Sequence, residues 1–352
     1  PESILTVTYT VAATEDMRRR FAKIFGEEDA KRLEFRTING ISQKVLQYFA
    51  YRTQKTPFQV ADKEASTAVK QSFWEVTGKY ATENDIKETQ LEITYAKNMR
   101  LTPEEIRDMD TEVEKFPEIF RAYNAKLRQM QMIDYDDQMI YALRILEQYP
   151  EVLAYFREKY QYFCVDEAQD TSKIQHDMMD LLAAKSRNLF MVGDLKQSIY
   201  AFRGCNPALF EKKEEALAES GGVMYLNRNF RSAPAVLDGV NEIFDYCMKK
   251  DFSGVDYAGT SRLRTSGGYK EHAGRFSFDV LRRAEKEEES AADPKVYDVL
   301  EHPAGAGEDF AEADFIADLI EEEIGKPYFD VETGEERGVE YGDIAVLVRS
   351  RN

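Results

Sequence analysis

Cysteine is scarce: Cys164, Cys205 and Cys247 are the three in 352 residues. None belongs to a Cys-x-x-Cys pair, and no histidine stands near one at metal-ligand spacing. A disulfide-stapled scaffold and a zinc site are thereby excluded, and a reducing compartment, the cytoplasm, is expected. Long apolar runs are missing as well. Nothing approaches the ~18 residues of a membrane-spanning helix, and no charged-then-apolar segment opens the chain, so neither a span nor a signal peptide is expected. Positive charge is outnumbered, with 47 Lys and Arg against 65 Asp and Glu, a net charge of −18. On that ground alone nucleic acid is disfavoured, because phosphate binding needs local positive potential. Basic residues nevertheless cluster at Arg18-Arg19-Arg20, at Lys196 and Arg203, and at Arg228 and Arg231. Each cluster is either a solvated face or part of a basic groove on an acidic body.

What is present is a packed-core composition, 43% hydrophobic, over a length that suits two domains. Ser3–Tyr9, Leu33–Thr37, Tyr162–Val165, Leu189–Val192 and Val223–Leu226 read as short strands, each followed by a helical pattern. The first helix, Ala12–Phe25, stops at Gly26; the second covers Ser42–Tyr51. Such alternation predicts an α/β fold with parallel sheets. Residues 52–132 show no convincing strand. Thr102-Pro103-Glu104-Glu105 is a helix start, and Ile106, Met109, Val113, Phe116, Phe120, Tyr123, Leu127 and Met130 follow at helical spacing. That stripe reads as the core of a helical insertion. Asp134, Asp136 and Asp137 could hold a metal, but capping of the next helix, which ends near Pro150, suits them better. From about residue 225 a second α/β unit is expected. It has a helix over Ala235–Met248, a loop-rich Lys249–His272, a strand at Arg275–Leu281, a helix at Phe310–Ile324 and a buried strand at Gly342–Arg349.

Chemistry concentrates in three stretches. YQYFCVDEAQDTSK, Tyr160–Lys173, ends an apolar run in Asp166-Glu167. A carboxylate pair past a buried strand can hold Mg²⁺ and polarise water against a phosphate, although a plain strand-to-helix turn reads the same way. NLFMVGDLKQSIYAFRG, Asn188–Gly204, ends a second apolar run in Gly193-Asp194 and continues with Gln197, Tyr200, Phe202 and Arg203. A Gln there can sense a γ-phosphate, and aromatics beside an Arg can stack on unpaired bases or pack in a core. LNRNFRS, Leu226–Ser232, offers an Arg able to reach a phosphate from a second unit, or a plain surface Arg.

In that order these motifs resemble those of the UvrD-like superfamily 1 DNA helicases. ILTVTYTVAATEDMRRRF is similar to that family's motif Ia and TINGISQKVL to its motif Ib. IDYDDQMIYAL is similar to the segment re-entering the first RecA-like domain. NPALFEKK, NRNFRSAPAVLDGVNEIF and YFDVETGEERGVEYGDIAVLVRS resemble the AddA, RecB-like subunit of bacterial helicase–nucleases. The resemblance implies RecA-like, P-loop NTPase type parallel sheets with a helical insertion domain. The first RecA-like domain would be 1–51 and 133–224, the insertion 52–132, and the start of the second 225–352. It implies ATP and Mg²⁺ as cofactors and an ATP-dependent, 3′→5′ motor acting on single-stranded DNA and DNA ends, in double-strand-break processing with an AddB-like partner. Asp166 becomes the Mg²⁺ carboxylate, Glu167 the catalytic base, Gln197 the γ-phosphate sensor, Arg231 the cross-cleft arginine and Phe230 the adenine-stacking ring. Tyr9, Thr37, Tyr200, Phe202 and Arg203 fall on the DNA path. The sequence departs from the pattern at Val11, where Asn is usual, and at Asn39-Gly40, where His-Ser is usual.

One part is missing. The chain contains no GxxxxGK[ST]: its Gly-Lys pairs, Gly78-Lys79 and Gly325-Lys326, lack both the preceding glycine and the following hydroxyl residue. The His302–Asp309 loop has glycines without a Lys. The expectation is therefore the middle of a longer motor, without its phosphate loop, last motifs or any nuclease domain. Two other readings are a non-catalytic single-stranded-DNA-binding or regulatory protein with a decayed ATPase, and a scaffold that docks a partner. The chain alone is expected to show no DNA-stimulated ATP hydrolysis; robust turnover abolished by Glu167→Gln would refute that.

Overall fold

A run of β-branched and apolar residues opens the chain and forms strand β1, Ile4–Thr8, with Leu5 and Val7 fully buried. The computed structural model describes residues 1–183, 188–198, 205–253, 255–266, 275–277, 311–330 and 334–348. Two compact units, Pro1–Met224 and Tyr225–Asn352, divide it. After β1 the Thr10 hydroxyl accepts the Ala13 N–H and starts α1, Val11–Phe25. Gly26, at φ 96°, ends that helix in a conformation that favours glycine. Helix α2, Glu27–Arg32, leads into β2, Glu34–Thr37, and Thr37 caps α3, Ile38–Thr53, through the Gly40 N–H.

The next stretch is mostly helical, but not strand-free. Strand β3, Gln59–Val60, precedes α4, Lys63–Thr77, and α5, Glu83–Asn98. The Thr102 start is a full capping box, its hydroxyl on the Glu105 N–H and the Glu105 carboxylate on the Thr102 N–H. The helix it opens, α6, Pro103–Arg107, is short, and the apolar stripe continues in a separate helix, α7, Phe116–Gln129. Pro117 gives the reason. It lacks the N–H that a continuous helix would use there, but is well placed in a first turn. Val113, in the intervening loop, still joins Phe73, Ile93, Phe116, Ile119, Tyr123 and Leu127 in a core of their own. Strand β4, Met132–Ile133, pairs in parallel with β3 at the base of this helical part.

Asp134 then N-caps α8, Tyr135–Gln148, accepting the Asp137 N–H at 2.7 Å, so capping is what this acid does. Pro150 opens α9, Pro150–Lys159, which leads to β5, Tyr162–Val165; α10, Lys173–Ala183; β6, Leu189–Met191; and α11, Pro207–Ala218. The four larger strands form one parallel sheet in the order β2-β1-β5-β6. Leu5, Val7, Phe163 and Val165 face Ile41 and Val45 of α3, Leu143 and Leu146 of α8 and Ile174 and Met178 of α10 in one core. An α/β fold with a parallel sheet is what the strand–helix alternation predicts.

The second unit departs further from expectation. Val223–Leu226 forms no strand, and Met224 and Leu226 are exposed. Strand β7 lies two residues later, Arg228–Asn229. Helix α12, Pro234–Cys247, follows, then α13, Lys250–Ser253. Inside the supposed loop region, strand β8, Arg264–Thr265, pairs in parallel with β7. Asn241 of α12, 2% exposed, binds the Leu263 backbone at both ends of its amide and the Tyr257 hydroxyl. Arg275–Ser277 has no regular structure, and Phe278–Leu281 lies outside the described residues. Helix α14, Ala311–Glu323, precedes an antiparallel pair, β9, Pro327–Asp330, with β10, Glu335–Gly338. Gly342–Val348 is a 3₁₀ turn followed by unpaired chain, with Leu347 96% exposed. In both failed strands apolar content was present but no ladder partner is found among the described residues, and a strand requires one.

The helical part is tied to the sheet by buried charge. Lys97 of α5, almost fully buried, reaches Asp134 at 2.6 Å and Asp137 at 2.9 Å. Tyr123 donates to the same Asp134 oxygen at 2.7 Å. Burial alone would lower the Lys97 pKa, but the two carboxylates override it and raise it. Removing one partner leaves buried charge uncompensated. Lys97→Met is therefore expected to cost about 3–5 kcal/mol, read as a lower urea midpoint; an unchanged midpoint would show that the network contributes nothing net.

Candidate functional site

In a parallel sheet all carboxyl ends lie along one edge, the edge where open α/β sheets bind ligands. The registers Thr8↔Thr37, Val7↔Val165 and Val165↔Met191 place Tyr9, Thr37, Asp166 and the start of the Val192–Ser198 loop there. Thr37 is committed as the α3 cap.

The acidic turn is pinned from both sides. The Asp166 N–H donates to the Val7 carbonyl at 3.0 Å, and the Ala168 N–H to the Val192 carbonyl at 2.9 Å. Between them Glu167 turns into the left-handed region, φ 53° and ψ 41°, a conformation that costs a non-glycine residue about 1–2 kcal/mol. A 3₁₀ turn, Ala168–Asp170, then leads to α10. Asp166 is half-buried and Glu167 exposed. Neither carboxylate has a hydrogen bond or ion pair among the described residues. Partial desolvation, and next the negative charges of Asp166 and Asp170, push the Glu167 carboxyl above its ordinary range. A cation would relieve that repulsion.

The donor set fits a hard cation held only in part by protein. No cluster of three or more His, Cys, Asp or Glu side chains suited to a metal exists among the described residues. Mg²⁺ bound by one or two carboxylates, water and substrate phosphate needs no such cluster.

Gln197 lies in a 3₁₀ turn, Leu195–Gln197, on the neighbouring loop and is exposed. Its Nε2 donates to Asp194 Oδ2 at 2.7 Å, which also takes the Lys196 ammonium at 2.5 Å. Lys196 is thus paired, as are Arg19 and Arg20, which both reach Asp16 on the exposed face of α1. Tyr200, Phe202 and Arg203 lie outside the described residues. Phe230, 72% exposed, and Arg231 belong to the second unit, in a turn where Asn229 Oδ1 accepts the Arg231 and Ser232 N–H groups at 2.8 Å.

Residue typing overlooked Gln169. It is 5% exposed, and its Oε1 accepts the Asp194 N–H at 3.0 Å, which joins the acidic turn to the Gln197 loop. Its place inside VDEAQD was the available signal. The largest cavity described, about 380 Å³, lies elsewhere, in the helical part. Glu88, Glu92, Asp110 and Glu112 line it, a set that repels phosphate.

A family model described as the UvrD/REP helicase N-terminal domain matches residues 1–218. The AddA-type ATP-dependent helicase/nuclease chain of Streptococcus sanguinis is 34% identical over 66% of this chain and 18% of its own length. The like-named chain of Lactobacillus delbrueckii subsp. bulgaricus is 32% identical over 85% of this chain and 24% of its own. The "ATP-dependent DNA helicase PcrA" of Leuconostoc citreum is 30% identical over 70% and 33%. The chain thus spans a third or less of the length of these relatives.

Behind the acidic turn, the Thr171 hydroxyl donates to the Ala168 carbonyl at 2.6 Å and so accepts from His176 Nε2 at 2.7 Å. Burial first, then the Lys213 ammonium, pull the His176 pKa down from 6.5 to about 4. The folded state therefore keeps the ring neutral while the unfolded chain protonates it. The stabilisation is complete above pH 6.5 and is lost as pH falls from 6.5 through 4. That window corresponds to about 3 kcal/mol. His176→Gln is expected to flatten the loss between pH 7 and 4.5 in urea melts; parallel wild-type and variant profiles would refute the assignment.

Proposed function

The chain belongs to the UvrD/REP helicase family, and we propose that the protein carrying it is an ATP-dependent DNA helicase moving 3′→5′ along single-stranded DNA. We place it with the AddA-type helicase–nucleases, acting on DNA ends in break processing in the cytoplasm with an AddB-like partner. Two relatives named as helicase/nuclease chains support that placement. In this reading 1–51 and 133–224 form the first RecA-like domain, 52–132 the helical insertion and 225–352 the start of the second.

The observation that carries the reading is the uncompensated Asp166-Glu167 pair on a strained turn at the carboxyl edge of a parallel sheet. Asp166 would hold Mg²⁺, which supplies positive charge to the phosphates of ATP. Glu167 would accept the proton of the attacking water, and a carboxyl pKa raised towards neutrality suits a base. Gln197 would hydrogen-bond the γ-phosphate from its exposed position, Arg231 would approach the same phosphate, and Phe230 would stack on adenine. Tyr9, Thr37, Tyr200, Phe202 and Arg203 would meet single-stranded DNA. The alternative, a single-stranded-DNA-binding or regulatory module with a decayed ATPase, gives the acidic pair no task.

In the full-length protein Glu167→Gln is expected to lower single-stranded-DNA-stimulated ATP turnover by about 10²–10⁴-fold, with binding of a fluorescent ATP analogue retained. Loss of nucleotide binding together with turnover would show that Glu167 is not the base.

A further inference from the structure

We infer that Gln169 is a positioning residue through which occupancy of the γ-phosphate site and the geometry of the acidic turn act on each other. The inference rests on the nucleotide-site reading above. Three hydrogen bonds fix this residue: Asp194 N–H to its Oε1 at 3.0 Å, its Nε2 to Asp170 Oδ2 at 3.1 Å, and Ser198 Oγ to its carbonyl at 3.2 Å. The first and third reach the loop that carries Gln197, and the second reaches the far end of the turn that carries Glu167.

The connection runs on. Asp194 Oδ2 holds both Gln197 Nε2 and the Lys196 ammonium. A phosphate that draws Lys196 and Gln197 towards itself loosens Asp194, whose N–H is bound to Gln169. Two residues separate Gln169 from Glu167, and the turn between them is the short 3₁₀ segment. Displacement on the Gln197 loop therefore reaches the base within one buried side chain.

Only a neutral amide fills this place. The side chain must accept at Oε1 and donate at Nε2 at once; a carboxylate cannot donate, and an apolar chain does neither. Asp170 adds to the demand. It is 5% exposed, its Oδ1 has no partner among the described residues, and Gln169 Nε2 is the donor to its other oxygen. Gly193 completes the fit. A Cβ there would lie 2.9 Å from Gln169 Oε1 and 2.8 Å from Phe210 Cζ, so glycine is required by close approach rather than by backbone conformation.

The test uses the full-length protein with single-stranded DNA. Gln169→Met is expected to lower kcat for ATP hydrolysis by at least about tenfold while KM for ATP stays within about threefold. In the wild type, a non-hydrolysable ATP analogue with Mg²⁺ should slow amide exchange across residues 189–198 more than ADP does. In Gln169→Met that difference should vanish with both nucleotides still bound. Gly193→Ala, which crowds Oε1 from the other loop, should do the same and carries the test if the first variant does not fold. A wild-type kcat, or a retained difference between ATP analogue and ADP, overturns the inference. Glu167→Gln run alongside separates the two ideas. If it leaves turnover intact, the nucleotide-site reading itself falls; if it abolishes turnover while Gln169→Met behaves as wild type, only the positioning role falls.

Discussion

The hydrogen-bond ladder joining β1, β5 and β6 runs one step beyond the strands, and everything at the candidate site hangs from that step. Val7 receives the Asp166 N–H, Val165 the Val192 N–H, and Val192 the Ala168 N–H. These bonds follow from register, and register follows from burial: Leu5, Val7, Phe163 and Val165 are each 2% exposed or less. A slip of one residue would turn these side chains out of the core and would carry Asp166 off the edge. The core therefore decides where the carboxylates stand, although no core residue touches them.

Two sets of ion pairs extend that order into the helical part. Lys97, Asp134, Asp137 and Tyr123 join α5 and α7 to the start of α8. Asn98 and Thr94 add hydrogen bonds to Asp136, whose pKa burial and the neighbouring Asp134 push up to about 7. Arg100 reaches Asp177 of α10 at 2.7 Å and Glu147 of α8 at 3.4 Å. Helix α10 starts three residues after the acidic turn ends. The helical part is consequently coupled to the turn through a helix and one guanidinium. Net charge carries no information about this. The acidic cavity sits among α5 and the loop before α7, away from the sheet edge, which is why a net charge of −18 and a phosphate site can share one chain.

Legibility followed the range of the interactions. Ser3–Tyr9, Leu33–Thr37, Tyr162–Val165 and Leu189–Val192 were readable because alternation and flanking helices are local, and all four contain strands of one sheet. The Thr102 capping box was readable for the same reason. The break between α6 and α7 was missed because apolar spacing outvoted Pro117. The two-residue strands β3, β4, β7 and β8 were invisible, since each exists only through its partner. Val223–Leu226 and Gly342–Arg349 failed for the converse reason. At the site, Asp166 and Glu167 could be read from type and position, whereas the role of Gln169 depends on Gly193 and Asp194, more than twenty residues away, and on the absence of a Cβ. The left-handed backbone of Glu167 has no sequence signature at all, because glutamate is not a residue that turn rules place there.

That backbone is also the strongest physical argument between an ATPase and a decayed relic. Left-handed geometry at Glu167 costs about 1–2 kcal/mol that glycine would recover. The raised pKa of Glu167 says that its charge is unfavourable in the folded state, with Asp166 and Asp170 contributing after desolvation. Asp170 adds a buried oxygen without a partner among the described residues. Each of these terms lowers stability, and none is offset by a contact the folded chain makes. A protein that only docked DNA or a partner could replace Glu167 by glycine and Asp170 by a neutral residue and become more stable. Strain and repulsion gathered within one short turn, at the edge where a parallel sheet binds ligands, have a physical use only when a cation and a phosphate arrive to be bound.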